Sequence, residues 1–174
     1  SYTVNLDRQR FLPYDISKRR KGFNMTIATF GQKKEGVEYS NRYGVYAVIP
    51  NPENDKIILV QAPNGAWFLP GGEIEAGEDH LSALERELIE ELGFTAQIGK
   101  YYGQADEYFY SRHRDRYFYN PAYIYETTSF EQSQKPLEDF NQLAWFPIDE
   151  AIEKLKRGSH KWGVEMWKME HQAK

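Results

Sequence analysis

Between Asp79 and Leu92 the chain offers one uninterrupted helical period, and on both sides of it lie β-branched and aromatic runs of strand length. At about 100° per residue, Leu81, Leu84, Leu88 and Leu92 fall on one stripe, and Gly93 stands where a left-handed residue ends a helix. A helix of this kind cannot bury its stripe alone. It needs a sheet beneath it, and strands apolar on both faces need a second helical cover. The chain is therefore expected to be α/β, an α/β/α sandwich with a mixed β-sheet.

The flanking runs sharpen that expectation. In residues 42–50 and 56–61, β-branched and apolar residues (Val45, Ala47, Ile49; Ile57, Ile58, Leu59, Val60) are separated by Asn51-Pro52-Glu53-Asn54-Asp55, which predicts strand, turn, strand. Pro63-Asn64-Gly65 predicts a turn before the short Trp67-Phe68-Leu69, and Pro70-Gly71-Gly72 is expected to break regular structure. From Thr95 to Tyr125 two aromatic-rich stretches flank Ser111-Arg112-His113-Arg114-Asp115, predicting a hairpin with a basic tip. A last strand near Leu143–Pro147 should lead into a helix over Asp149–Arg157 capped by Gly158, followed by an amphipathic segment with Trp162, Met166 and Trp167.

The 174 residues, 40% of them hydrophobic, suit one globular domain. Zero cysteines exclude disulfides, thiolate metal sites and cysteine nucleophiles, so any metal must be held by oxygen or imidazole. The chain has no apolar run of membrane-spanning length and no secretory leader pattern, so a cytoplasmic protein with no membrane partner is expected. Six Lys or Arg and two Asp fall in residues 1–25, so the remainder of a chain of net charge −4 carries −8. Residues 1–25, with the run Lys18-Arg19-Arg20-Lys21, read as a basic N-terminal extension and residues 26–174 as the domain. A domain of net negative sign lacks the basic stripe that displaces counterions from a nucleic acid, whereas a small phosphorylated ligand bridged by metal is compatible. A homodimeric assembly is left open.

On the helix, Glu87, Glu90 and Glu91 cluster on an arc of roughly 100° beside the leucine stripe. Like charges three and four positions apart cost about 0.2–0.5 kcal/mol per pair, so the crowding needs a compensating reason. A hard cation such as Mg²⁺, held by carboxylates, waters and substrate phosphates, supplies one. Arg86, one turn before Glu90, is placed to orient that carboxylate. Taken from the helix alone, however, a solvated acidic face is the ordinary explanation.

The wider context changes that balance. Gly72, then Glu78 after five residues, then Arg86-Glu87-Leu88-Ile89-Glu90-Glu91-Leu92-Gly93-Phe94 after seven more, resembles the Nudix box at every position, with Leu69-Pro70-Gly71 as its usual lead-in. The broader likeness, including Ala144-Trp145-Phe146-Pro147 before a helix, runs from about residue 40 to 158. Residues 1–25 lie outside it.

The resemblance implies a metal-dependent hydrolase that directs water at a diphosphate linkage in a nucleotide-like small molecule, with Mg²⁺, or Mn²⁺, as cofactor. Position by position it implies Glu87, Glu90 and Glu91 as carboxylate ligands and the Gly71 carbonyl as a backbone ligand, with Glu87 favoured as base. Gly72, Glu78 and Gly93 would be structural, and Arg86 would hold the loop against the helix within the catalytic set. Family members often carry one more acidic ligand ahead of the Trp-Phe strand; Glu138 fits best, with Asp139 and Glu107 as rivals. Gln61 stands where members acting on nucleoside triphosphates often place an arginine, which moves the expected phosphate contacts to Arg42, Arg112, Arg114 and Arg116. Tyr110 is a candidate substrate contact in a tract whose aromatics mainly pack a sheet. His113 and His160, without partner ligands at metal spacing, are expected to be structural or solvated. Two other classes share the likeness: a non-catalytic nucleotide sensor, which usually loses box glutamates that this chain keeps, and an isopentenyl diphosphate isomerase, whose chemistry needs a cysteine.

Overall fold

Alternation within single strands sets the architecture. Val45, Ala47 and Ile49 pack with Ile58, Val60, Tyr123 and Tyr125 on one side, while Tyr46 and Val48 pack with Ile57, Leu59, Ala122 and Ile124 on the other. Strands apolar on both faces demand cover on both, and helices supply it. The structure, a computed structural model, describes residues 27–172; the expectations for residues 1–25 lie outside them. Its elements are β1 Ala28–Phe30, β2 Tyr39–Asn41, β3 Gly44–Val48, β4 Lys56–Gln61, β5 Trp67–Phe68, β6 Gly71–Glu73, α1 His80–Leu92, β7 Phe94–Ser111, β8 Arg116–Gln132, β9 Gln142–Pro147, α2 Ile148–Lys154 and α3 Gly158–Gln172.

Six strands form a mixed sheet in the order β1-β7-β8-β3-β6, with β2 also on β8, and β5-β4-β9 form a second, antiparallel sheet. In the first, β1 runs parallel to β7, β2 and β3 run parallel to β8, β6 runs antiparallel to β3, and β7 and β8 make the expected antiparallel hairpin. Helix α1 covers one face through Ala83, Leu84, Leu88 and Leu92, and α2 and α3 cover the other through Ala151, Val164, Met166 and Trp167. No helix among the described residues is long and apolar enough to cross a membrane.

Three local expectations need correction. Pro70-Gly71-Gly72 does not simply break regular structure: Gly71–Glu73 is strand β6, antiparallel to β3 with Tyr46 opposite Gly71. The approach is so close that a Cβ on Gly71, whose φ is +141°, would lie 2.1 Å from the Val45 carbonyl oxygen, so glycine makes the pairing possible. The late helix ends at Lys154, not Arg157, because Leu155 turns extended and Lys156 N–H donates to the Trp67 carbonyl at 2.9 Å. Gly158 accordingly opens α3 instead of capping α2. Finally, Leu81 is exposed, because His80 takes the place over the sheet and stacks on Tyr123 at 4.2 Å between ring centroids. Replacing Leu81 by Lys should therefore change unfolding free energy by no more than about 0.5 kcal/mol, whereas a core leucine would cost several times that. Urea unfolding of the variant checks this.

Candidate active site

Helix α1 begins at Asp79, whose carboxylate accepts from Ser82 N–H at 2.8 Å, and ends at Gly93 with φ +69°. Before the cap, Glu78 accepts from Glu75 N–H at 2.8 Å, which folds the preceding loop back on itself. Arg86 then ties loop to helix. Its Nε and Nη2 donate to the two Glu78 oxygens at 2.8 and 2.9 Å, and Nη2 also reaches the Glu73 carbonyl at 3.1 Å. Its Nη1 donates to Glu87 at 3.0 Å and to Glu90 at 3.2 Å. The bond from Arg86 holds the Glu78 carboxyl down at about 2, so the fork stays fully charged at any working pH.

The glutamates experience a different environment. Burial pushes the Glu87 carboxyl up to about 7 and the Glu91 carboxyl well above its ordinary range, against the opposing pull of Arg86 and of Gly71 N–H respectively. Gly71 N–H donates to Glu91 Oε1 at 2.8 Å. Gly72 gives Glu87 its room, since a Cβ there would sit 2.5 Å from the Glu87 carboxyl carbon. Crowded carboxylates that resist ionisation without a cation are a physical argument for one.

Glu138 reaches this group by a route that only the fold supplies. The N–H groups of Leu137 and Glu138 both donate to the Glu90 carbonyl at 2.9 Å, which docks the loop after β8 on the end of α1. Carboxylate oxygens of Glu87, Glu90 and Glu138 then all lie within 4.8 Å of one another. These hard oxygen donors, with Glu91 behind them, fit a hard divalent cation. The rivals fall away: Asp139 is outside the group, and Glu107 is buried, its carboxylate accepting Ser159 N–H at 3.0 Å at the start of α3.

Beside the glutamates opens a cleft of about 550 Å³, lined by Gly71, Gly72 and Glu91 together with Tyr46, Phe68, Phe109 and Asn120. Arg42 and Arg114 line it; Arg112 and Arg116 do not. Phe109 and Ser111 face the cleft, so the period-two alternation turns Tyr110 to the opposite face, where it packs on Tyr117 at 4.9 Å and donates to Asp115. Tyr110 is thereby corrected to a packing residue. Gln61 spends its side-chain amide on the Gly65 carbonyl at 3.0 Å. His160 lines the cleft too, but its Nδ1 accepts from Leu69 N–H at 3.0 Å, and burial pushes its pKa down to about 3, so it is a neutral, structural imidazole. His113 is exposed at the mouth.

Sequence reasoning missed Arg157, Asn120 and Phe140 in this lining. Arg157 read as the last residue of a helix, and no periodic signal marked any of the three.

Comparison with known proteins agrees with this geometry. The model of the NUDIX domain matches residues 40–166. The chain is similar to an 8-oxo-(d)GTP phosphatase of Mycolicibacterium smegmatis, 29% identical over 107 residues that make up 61% of this chain and 31% of that protein. It is also similar to diphosphoinositol polyphosphate phosphohydrolase 3-beta of Bos taurus, 26% identical over 59% of this chain and 61% of that protein. The match thus spans about a third to three-fifths of the length of these relatives. The solution structure of the Escherichia coli ORF135 protein superimposes with a TM-score of 0.60, at 25% identity, covering 78% of this chain and 94% of that one.

Proposed function

We propose that this chain, which belongs to the NUDIX domain family, is a divalent-metal-dependent hydrolase cleaving a diphosphate linkage in a nucleoside diphosphate joined to another moiety. The observation that carries the reading is the meeting of Glu87, Glu90 and Glu138, drawn from a helix and a distant loop, next to Gly72 and Glu91, which line a cleft large enough for a nucleotide. Relatives named for 8-oxo-(d)GTP and for diphosphoinositol polyphosphates support a phosphate anhydride as the bond cut.

Glu87, Glu90, Glu91 and Glu138, with the Gly71 carbonyl, would hold Mg²⁺ or Mn²⁺. When bound, such a cation offsets charge on the diphosphate and acidifies water. The protein's own part is positional. Arg86 fixes the Glu87 and Glu90 carboxylates through one nitrogen while its other two clamp Glu78, so the helix and loop cannot slide apart. Glu87 takes the proton of the attacking water; the water oxygen forms a new bond to phosphorus, and the bridging P–O bond breaks towards the leaving phosphate. Aromatic walls at Phe68 and Phe118 offer stacking surface for a base.

A panel of nucleoside triphosphates, nucleotide sugars, ADP-ribose and dinucleoside polyphosphates with Mg²⁺ or Mn²⁺, read by phosphate or pyrophosphate release, tests the proposal. Absence of turnover on every compound by folded, metal-loaded protein would overturn it.

The cleft geometry also sorts the basic residues. Arg42→Ala and Arg114→Ala should raise the Michaelis constant on an active compound by about tenfold each, the size expected for one lost charge-assisted hydrogen bond, while Arg112→Ala and Arg116→Ala leave it unchanged. Steady-state kinetics on the four variants decide, and a parental Michaelis constant for Arg114→Ala would remove the hairpin from the binding site.

A further inference from the structure

The arginine that sequence reasoning missed has no anion. Arg157 sits over the Phe109 ring, its guanidinium carbon 3.5 Å from the ring centroid, with Phe68 at 5.6 Å. A guanidinium held over a ring keeps an N–H edge free, and that edge matches two oxygens of a phosphate. Neither Arg157 nor Arg42, its neighbour in the cleft, ion-pairs or hydrogen-bonds through its guanidinium among the described residues. Glu107 is near enough for its charge to act on Arg157, but its carboxylate is occupied by Ser159 N–H. A cation partly withdrawn from water without an ion partner is costly unless a ligand brings the anion.

The cleft is thus bipolar. Glu91 and the two unpaired guanidiniums of Arg42 and Arg157 line it together, and all three charges act on the Tyr46 hydroxyl. Both arginines are well anchored: the Arg42 backbone bonds Tyr119 and Asn120, and the Arg157 carbonyl accepts from Lys161 in the first turn of α3.

We propose that Arg157, seated on Phe109 and paired with Arg42, forms an anion subsite that binds a phosphate group of the substrate. The inference rests on the hydrolase reading for what the substrate is, but not for whether the subsite binds an anion.

Its test therefore uses neither metal nor turnover. Calorimetric titration of tripolyphosphate into the whole chain, in chelator and at low salt, should show binding. Arg157→Met, which keeps a stem on the Phe109 ring, and Arg42→Met should each weaken it by about tenfold, with melting temperatures unchanged. Arg157→Gln, expected to lose as much, serves if the methionine variant fails to fold. Glu90→Gln should bind at least as tightly as the parent, since it removes a negative charge from the glutamate cluster beside the cleft. No binding by the parent, or equal affinity in the parent and the folded Arg157 variants, overturns the subsite. A chain that bound tripolyphosphate through Arg157 yet hydrolysed nothing would sink the hydrolase reading alone, and the reverse result would sink the subsite alone.

Discussion

Glu90→Gln and Glu91→Gln should each lower turnover by at least about a hundredfold while melting at or slightly above the parent temperature. The structural cost is small because the bonds these residues make survive the change. Leu137 and Glu138 donate to the backbone carbonyl of Glu90, not to its side chain, so the loop carrying Glu138 stays docked. A glutamine at 91 still offers an oxygen to Gly71 N–H, and one at 90 still accepts from Arg86. Burial already opposes ionisation of Glu91, and losing one of several like charges relieves repulsion worth a few tenths of a kcal/mol. Function has no such compensation, because a neutral amide is a poor ligand for a hard cation; disturbing even an outer partner of a metal ligand typically costs 10–100-fold. Melting curves with and without Mg²⁺ distinguish the two effects, since an ion that binds only the native state must stabilise it. If Mg²⁺ shifts parent and variants equally and the variants turn over normally, the helix is a solvated acidic face.

The metal-free parent should lose about 2–3 kcal/mol of stability, relative to Glu87→Gln, between pH 5 and pH 8. The folded Glu87 carboxyl titrates at about 7 against an ordinary value of 4.5, so the folded state holds its proton across a range where the unfolded chain has released it. Stability from a raised carboxyl is fully present below the unfolded value and drains away as pH rises through the folded one. Glu91, also raised, acts in the same direction but is present in both proteins, so its own contribution drops out of the difference. Buried His160 works oppositely below its ordinary 6.5, but it is common to both proteins and cancels in the comparison. Glu78 and Asp79, both lowered, have completed their contribution by pH 5. Saturating Mg²⁺ should flatten the parent's loss by favouring the ionised carboxylates. Urea unfolding in chelator at several pH values measures it, and parallel curves for the two proteins would show that Glu87 is not withdrawn from water.

The sequence by itself determined the helix and what it carries. The register of Glu87, Glu90 and Glu91, their separation from the leucine stripe, the Asp79 cap and the Gly93 stop are all spaced within a few residues, where helical geometry alone dictates direction. The same locality made the β7–β8 hairpin legible from its alternation and its turn. Only the tertiary structure decided what meets that helix. Glu138 was one acidic residue among neighbours until its loop bonded to the end of α1, forty-eight residues from Glu90 in the chain. Arg157 was a helix end until the pairing of Lys156 with Trp67 pulled it over Phe109. Likewise, a strand's alternation says that Phe109 and Tyr110 face opposite ways, but not which of them faces the cleft. Long-range hydrogen bonds and packing choose between faces and bring loops together, and they depend on residues too far apart along the chain to leave a local pattern.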